Sequence, residues 1–287
     1  MKTLLNAAVL LGTVVVLSGS ALAQWKVPPT PNVPKTATGE PDLTAPTPRT
    51  ADGKPDLSGT WTRGGGGGGA RGQGQRGAAA PAAPAPPADA ISVATFGNVG
   101  SGYRGGLPLQ PWATELINKR KADNSKDNPD AHCLPMGFMQ FHNHPEPNKI
   151  IQTPNVIVII YEANEGLRQI HTDGRSLPGP DAEPWWYGYS VGKWEGDTLV
   201  VETTGFRDGI WLDVQGTPLT DAAKVTEKFR RINYGNLEIE ITIDDPKAYT
   251  KPWTVKVTQR LMLNSDLIEF ICEDRDASHY VGAESPK

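Results

Sequence analysis

The chain has 287 residues, with 28 Lys+Arg against 32 Asp+Glu and a net charge of −4. Mild acidity without a basic block excludes the electrostatic footprint of a nucleic-acid binder. Cys133 and Cys272 are its two cysteines, so a disulfide framework is limited to one bridge.

The first residues read as a targeting segment. Lys2 supplies a positive start, Leu4 to Leu17 an apolar stretch, and Ala21-Leu22-Ala23 a small-x-small cleavage site before Gln24. The apolar run is short for a bilayer span of roughly 20 residues, and no later segment is long or apolar enough, so no transmembrane segment is expected. Residues 1–23 are therefore read as a signal peptide, and the mature chain as exported and soluble, periplasmic or extracellular after cleavage near Ala23. In an oxidising compartment Cys133 and Cys272 are expected to pair, the alternative being two buried thiols. They stand 139 positions apart, and closing so long a loop contributes about 5 kcal/mol at most on the loop-entropy argument.

Residues 24–56 are rich in Pro, Thr and Asp with almost no apolar period and read as an extended tail. Residues 57–62, containing Leu57-Ser58-Gly59-Thr60-Trp61, read as a first strand. Residues 63–106 read as an insertion, because the glycines Gly64–Gly69 lead into Arg/Gln/Gly and then an Ala/Pro run to about Ala90. Such a composition buries too little surface to offset its ordering entropy, so this part is expected to be disordered. From Leu107 to residue 283 the chain reads as one domain. A short helix is expected after Pro111, with proline in its first turn, Trp112 and Leu116 on one face, and Lys119-Arg120-Lys121 at its end.

From Lys149 onward the pattern is β. Runs fall at 149–152, 156–162, 167–172, 187–194, 198–204, 224–233, 237–244, 253–263 and 267–273. Turn signals separate them: Thr153-Pro154-Asn155, Glu195-Gly196-Asp197, Gly235-Asn236 and Asn264-Ser265-Asp266. Leu237, Ile239, Ile241 and Ile243 alternate with Glu238, Glu240 and Thr242, so one face is buried and the other wet. The fold class is mainly β: an antiparallel meander of about nine to ten strands with one short helix. A single sheet of that length curls and closes, which removes its edges.

The order of a strand bearing Gly59-Thr60-Trp61, a helix and a run of hairpins resembles the calycin superfamily of lipocalins and fatty-acid-binding proteins. That resemblance implies a lipocalin-like barrel whose first-strand tryptophan packs across a closed end. Residues 107–275 are also similar to a set of exported bacterial proteins of unestablished activity. Leu109-Gln110-Pro111-Trp112-Ala113, Cys133-Leu134-Pro135-Met136-Gly137, GYSVGKWEGDTLVVETTGF, VTEKFRR and DDPKAYTKPW carry that likeness. It implies one domain and transfers no catalytic residue.

Several constellations could carry chemistry. On an extended backbone His142 and His144 would share a face, with Glu146 as the nearest carboxylate, a pattern that suits a divalent transition metal. His171 with Asp173 could be an imidazole oriented by a carboxylate for acid–base work, for which a nucleophile would have to be found. Glu202, or Asp208 and Asp213 flanking Trp211, could form a hydrolytic pair. Trp185, Trp186, Tyr189 and Trp211, within an aromatic-rich stretch, could line a barrel mouth and stack on a planar, apolar or sugar-like ligand. Two functions follow: a binding barrel for a small apolar or aromatic ligand, or a metal-assisted hydrolase or oxidoreductase using His142, His144 and His171.

Overall fold

The computed structural model describes residues 28–64, 91–270 and 272. The expected signal peptide and most of the Gly/Ala/Pro-rich insertion lie outside the described residues. Nine strands form a closed barrel: β1 (Gly59–Arg63), β2 (Asn148–Gln152), β3 (Val156–Tyr161), β4 (Leu167–His171), β5 (Tyr189–Glu195), β6 (Thr198–Thr204), β9 (Lys224–Asn233), β10 (Asn236–Asp244) and β11 (Trp253–Met262). Their order around the wall is β1-β11-β10-β9-β6-β5-β4-β3-β2, and β2 returns to β1. A small hairpin of β7 (Ile210–Trp211) and β8 (Pro218–Leu219) stands apart.

Alternation decides what faces inward. Ile239 pairs with Phe229 on one side and Val257 on the other, and Phe229 pairs with Leu199. All four are buried, and each such side chain taken from water contributes about 1.5–3 kcal/mol. The intervening residues form an outer charge ladder, with Lys228 opposite Glu240 and Arg230 opposite Glu238.

One seam departs from the hairpin pattern. β4 and β5 run parallel and pair only through Ile170–Ser190 and His171–Val191. A parallel neighbour needs a long connection, and residues 172–188 supply it. The expected strand over 267–273 is not formed by the described residues there, which carry no strand. The physical reason is closure: β11 already has β10 on one side and β1 on the other, so no edge remains for another strand.

The two ends are closed differently. At the end bearing the 195–198 and 233–236 turns, Trp61 is fully buried and its Nε1 donates to the Leu57 carbonyl at 3.0 Å. The Arg231 guanidinium lies 4.9 Å from the indole and donates to the carbonyls of Asp56 and Tyr234. Burial holds the Arg231 guanidinium down at about 10. Residues 28–57 lie over this end. Gly235 and Tyr234 donate to the carbonyls of Leu43 and Ala45, and Arg49 forms a two-pronged pair with Asp197. The segment makes tight turns, bridging Lys35 to Pro41 and Arg49 to Pro55, so it is a folded cover rather than an extended tail.

At the opposite end lie α1 (Pro111–Ala122), α2 (Phe138–Asn143) and the β7–β8 hairpin. α1 starts at proline as expected but buries Ala113 and Ile117. Trp112 is 42% exposed and spends its indole N–H on the Lys247 carbonyl. The insertion leaves and re-enters the fold at one place. Gly64 donates to the Thr258 carbonyl, and Ser92 and Ala94 bracket Lys256 by hydrogen bonds. Because both ends sit two positions apart on β11, the barrel closes independently of the length between them. Cys133 and Cys272 are bonded, with Cα atoms 5.6 Å apart.

Candidate functional site

The inner wall carries a charged cluster that the apolar pattern hides. Glu227 shares the inward face of β9 with Val225 and Phe229, and Arg168 shares that of β4 with Ile170; both charged residues are buried. Arg168 Nη1 donates to Glu227 Oε1 at 3.0 Å and Nη2 to Glu227 Oε2. The guanidinium also donates to Ser190 Oγ and Thr203 Oγ1, at 3.0–3.2 Å. Ser190 and Thr203, paired across β5 and β6, also bond each other at 2.9 Å.

α2 delivers a third member. Its described side chains, Phe138, Met139, Gln140, His142 and Asn143, are all buried. Gly137 permits the close approach, since a Cβ there would sit 2.1 Å from the Trp211 carbonyl oxygen. Gln140 donates to that same carbonyl at 3.0 Å, and Gln259 donates to the His142 carbonyl at 3.0 Å. His142 Nε2 then lies 3.0 Å from Glu227 Oε1. The rings of Phe138, Tyr161 and Phe229 meet the imidazole edge-on at 6.2, 5.9 and 5.8 Å.

The electrostatics follow from burial and pairing. Burial opposes ionisation of Glu227, but the Arg168 charge and the His142 hydrogen bond overrule it and hold the carboxyl down at about 2. Burial also works against the Arg168 charge, and Glu227 more than restores it. For His142 burial prevails over Glu227, so the imidazole is pushed below its ordinary value and is neutral at pH 7. A neutral ring facing a carboxylate carries its proton on the facing nitrogen. Nε2–H therefore donates to Glu227, and Nδ1 is left as a bare acceptor. That Nδ1 is buried without a partner, as are Asn143 Nδ2, Asn148 Oδ1 and Gln259 Oε1.

A second cluster lies on the outside of the wall. Ser190 points inward, so its neighbour Tyr189 points outward, and His171 does likewise beside the inward Ile170. Across the parallel seam the His171 and Tyr189 rings stack at 5.0 Å, and Trp185 tilts against Tyr189 at 5.2 Å. Trp185 is 37% exposed. Arg175 donates to the Tyr189 hydroxyl at 3.0 Å, and Arg207 lies over the Trp186 ring at 4.8 Å. Gly188, with φ 67°, starts this strand where a side chain would strike Thr203 and Phe206.

The structure places the sequence-predicted residues as follows. Trp185, Tyr189 and His171 come together, with Trp186 beside them under Arg207. Trp211 is elsewhere, 2% exposed and stacked under Arg120 at 4.3 Å. The aromatic group is an outer ledge instead of a mouth lining, because strand parity turns Tyr189 away from the interior. His142 and His144 do not lie on an extended strand, since α2 is helical through Asn143. The imidazoles take separate partners: Glu227 for His142, Phe96 and Glu146 for His144, Tyr189 for His171. Among the described residues no group of three or more His, Cys, Asp or Glu is placed to hold a metal ion. Asp173 is engaged by Arg175, whose hydrogen bonds hold its carboxyl at about 2. Glu202 is on the wet face and pairs with Lys224 at 2.7 Å. Asp213 is buried and accepts from Val99 N, Thr217 N and Thr217 Oγ1, which fixes the loop below Trp211. Sequence reasoning missed Arg168 and Glu227. The available signal was parity, a charged residue at the position where its strand otherwise places apolar side chains.

No protein-family model, curated protein or solved structure matches this chain. Among the described residues no helix is long and apolar enough to cross a membrane.

Proposed function

We propose that this protein is an exported, non-enzymatic binding barrel for a small apolar or aromatic molecule, which docks on the ledge of Trp185, Tyr189 and His171. One observation carries the reading: three rings pack in series, His171 stacked on Tyr189 and Trp185 tilted against it, while the outermost stays more than one-third exposed. An indole left partly wet beside two stacked rings offers a planar face to a planar partner. Arg207 and Arg175 border the ledge and orient its rings. The barrel itself and the Cys133–Cys272 bridge suit a scaffold working outside the cytosol, and the calycin likeness of Gly59-Thr60-Trp61 agrees with a binding role.

The test is titration of the purified protein with lipid, aromatic and sugar panels, read by tryptophan fluorescence and calorimetry. Planar aromatics are expected to bind, and Trp185→Ala to weaken them about tenfold, the size of a lost ring contact. Trp211→Phe, away from the ledge, is expected to leave binding unchanged. A flat response across all three panels sinks the reading.

A further inference from the structure

The inner cluster holds more than a structural ion pair requires. Arg168 and Glu227 satisfy each other through two bonds, and Ser190, Thr203 and Tyr161 give the guanidinium further hydrogen-bond partners. His142 adds a donor to Glu227 Oε1 but presents its other nitrogen to the interior with no protein partner. Buried polar atoms are almost always paired, and an orphan needs an explanation. Here five orphans belong to α2 and the residues around it: the acceptors Gln140 Oε1, His142 Nδ1, Asn148 Oδ1 and Gln259 Oε1, and the donor Asn143 Nδ2. The elements carrying them are contiguous. Asn148 and Gln259 lie on the two neighbours of β1, and Gln259 also bonds the His142 backbone.

We propose that His142 Nδ1 anchors an interior binding site for the hydroxyl group of a small neutral phenol-class molecule. The chemistry follows from what the protein leaves unmatched. Acceptors outnumber donors, so the guest must donate. The Arg168 charge is balanced by Glu227 and the imidazole is neutral, so nothing favours a charged guest. Phe138, Tyr161 and Phe229 surround the imidazole with ring edges, which suits an aromatic body. Glu227 acts as the positioning residue, because its bond to Nε2–H fixes the tautomer that bares Nδ1. This site is distinct from the outer ledge and does not depend on it.

Water has the same O–H donor, so the experiment separates the two. Calorimetry of the purified protein with phenol and with toluene compares guests that differ in one hydroxyl. Phenol is expected to bind about tenfold tighter, the worth of one buried hydrogen bond to a prepared acceptor. His142→Phe should abolish that preference, while Trp185→Ala should preserve it. Imidazole nitrogen NMR of the unaltered protein gives a readout that needs no variant. Nδ1 should resonate as an unprotonated nitrogen and shift towards the hydrogen-bonded position as phenol saturates. Equal binding of phenol and toluene overturns the proposal, and so does loss of the preference in Trp185→Ala. An Nδ1 signal already in the hydrogen-bonded position and unmoved by phenol means water alone occupies the site, which also overturns it.

Discussion

Two Arg–Glu pairs sit on opposite faces of strand β9. Inside, Glu227 holds Arg168, with both side chains almost inaccessible to solvent. Outside, Arg230 reaches Glu238 at 3.3 Å, with the arginine 61% exposed. The residue types are the same, yet the outer pair trades one hydrated state for another, whereas the inner pair has no water to fall back on. The outer glutamate is also shared with Lys256 at 2.8 Å, so either cation can be lost at little cost. The inner glutamate has only Arg168 and His142 as its side-chain hydrogen-bond partners. The lesson is that the same pair is decoration on one face and a structural commitment on the other.

The sharpest way to break this comparison is to remove half of the inner pair. Glu227→Ala should lower stability by about 3–5 kcal/mol, because it strands the Arg168 charge in a dry interior. Chemical denaturation of the variant reads this directly. The double variant Arg168→Met with Glu227→Leu should recover most of the loss, since the uncompensated charge goes with its partner. A single-variant loss under about 1 kcal/mol would mean that water reaches the pair.

An intermediate effect is expected from pH. The Glu227 carboxyl has an ordinary value of 4.5 and is held at about 2 when folded. The stability it provides is therefore complete above pH 4.5 and fades as pH falls towards 2. His142 is lowered from 6.5, so its neutral burial is favourable above that pH and becomes a cost as pH drops through the folded value. Denaturation midpoints measured at pH 7, 5 and 3 should fall progressively, and Glu227→Gln should flatten the steepest part, between pH 4.5 and 2. An unchanged slope in that variant would assign acid sensitivity to other carboxylates.

The smallest effect belongs to the outer ladder. Glu238→Ala, which removes the partner of both Arg230 and Lys256, should cost no more than about 1 kcal/mol and should shrink further at high salt. A loss comparable to that of Glu227→Ala would erase the distinction between the two faces.

Periodicity alone exposed most of the wall. The expected runs at 198–204 and 224–233 coincide with β6 and β9, and those beginning at Val156, Leu167 and Trp253 differ from β3, β4 and β11 by one residue at their ends. Alternation is a local property, written into each strand by the need to bury one face, and it survives without knowledge of neighbours. The expectation of an oxidising compartment likewise paired Cys133 with Cys272, as the structure has them. The ledge was legible as an aromatic cluster, but its position outside the barrel was not. That position depends on the parallel seam, which sets Tyr189 against His171 across a long connection.

What the sequence determined by itself was therefore the strand pattern and the single crosslink, because each is set by residues near one another in sequence or by the count of a residue type. What only the tertiary structure decided was the company each polar group keeps. His142 reads as half of a metal pair with His144 until α2 turns it into the barrel against Glu227, 85 positions away. Glu227 reads as one more strand glutamate until closure takes water from its side of β9. Burial and long-range pairing belong to the assembled wall, and a carboxylate in solvent and one facing a guanidinium in the dry interior are identical in the chain that encodes them.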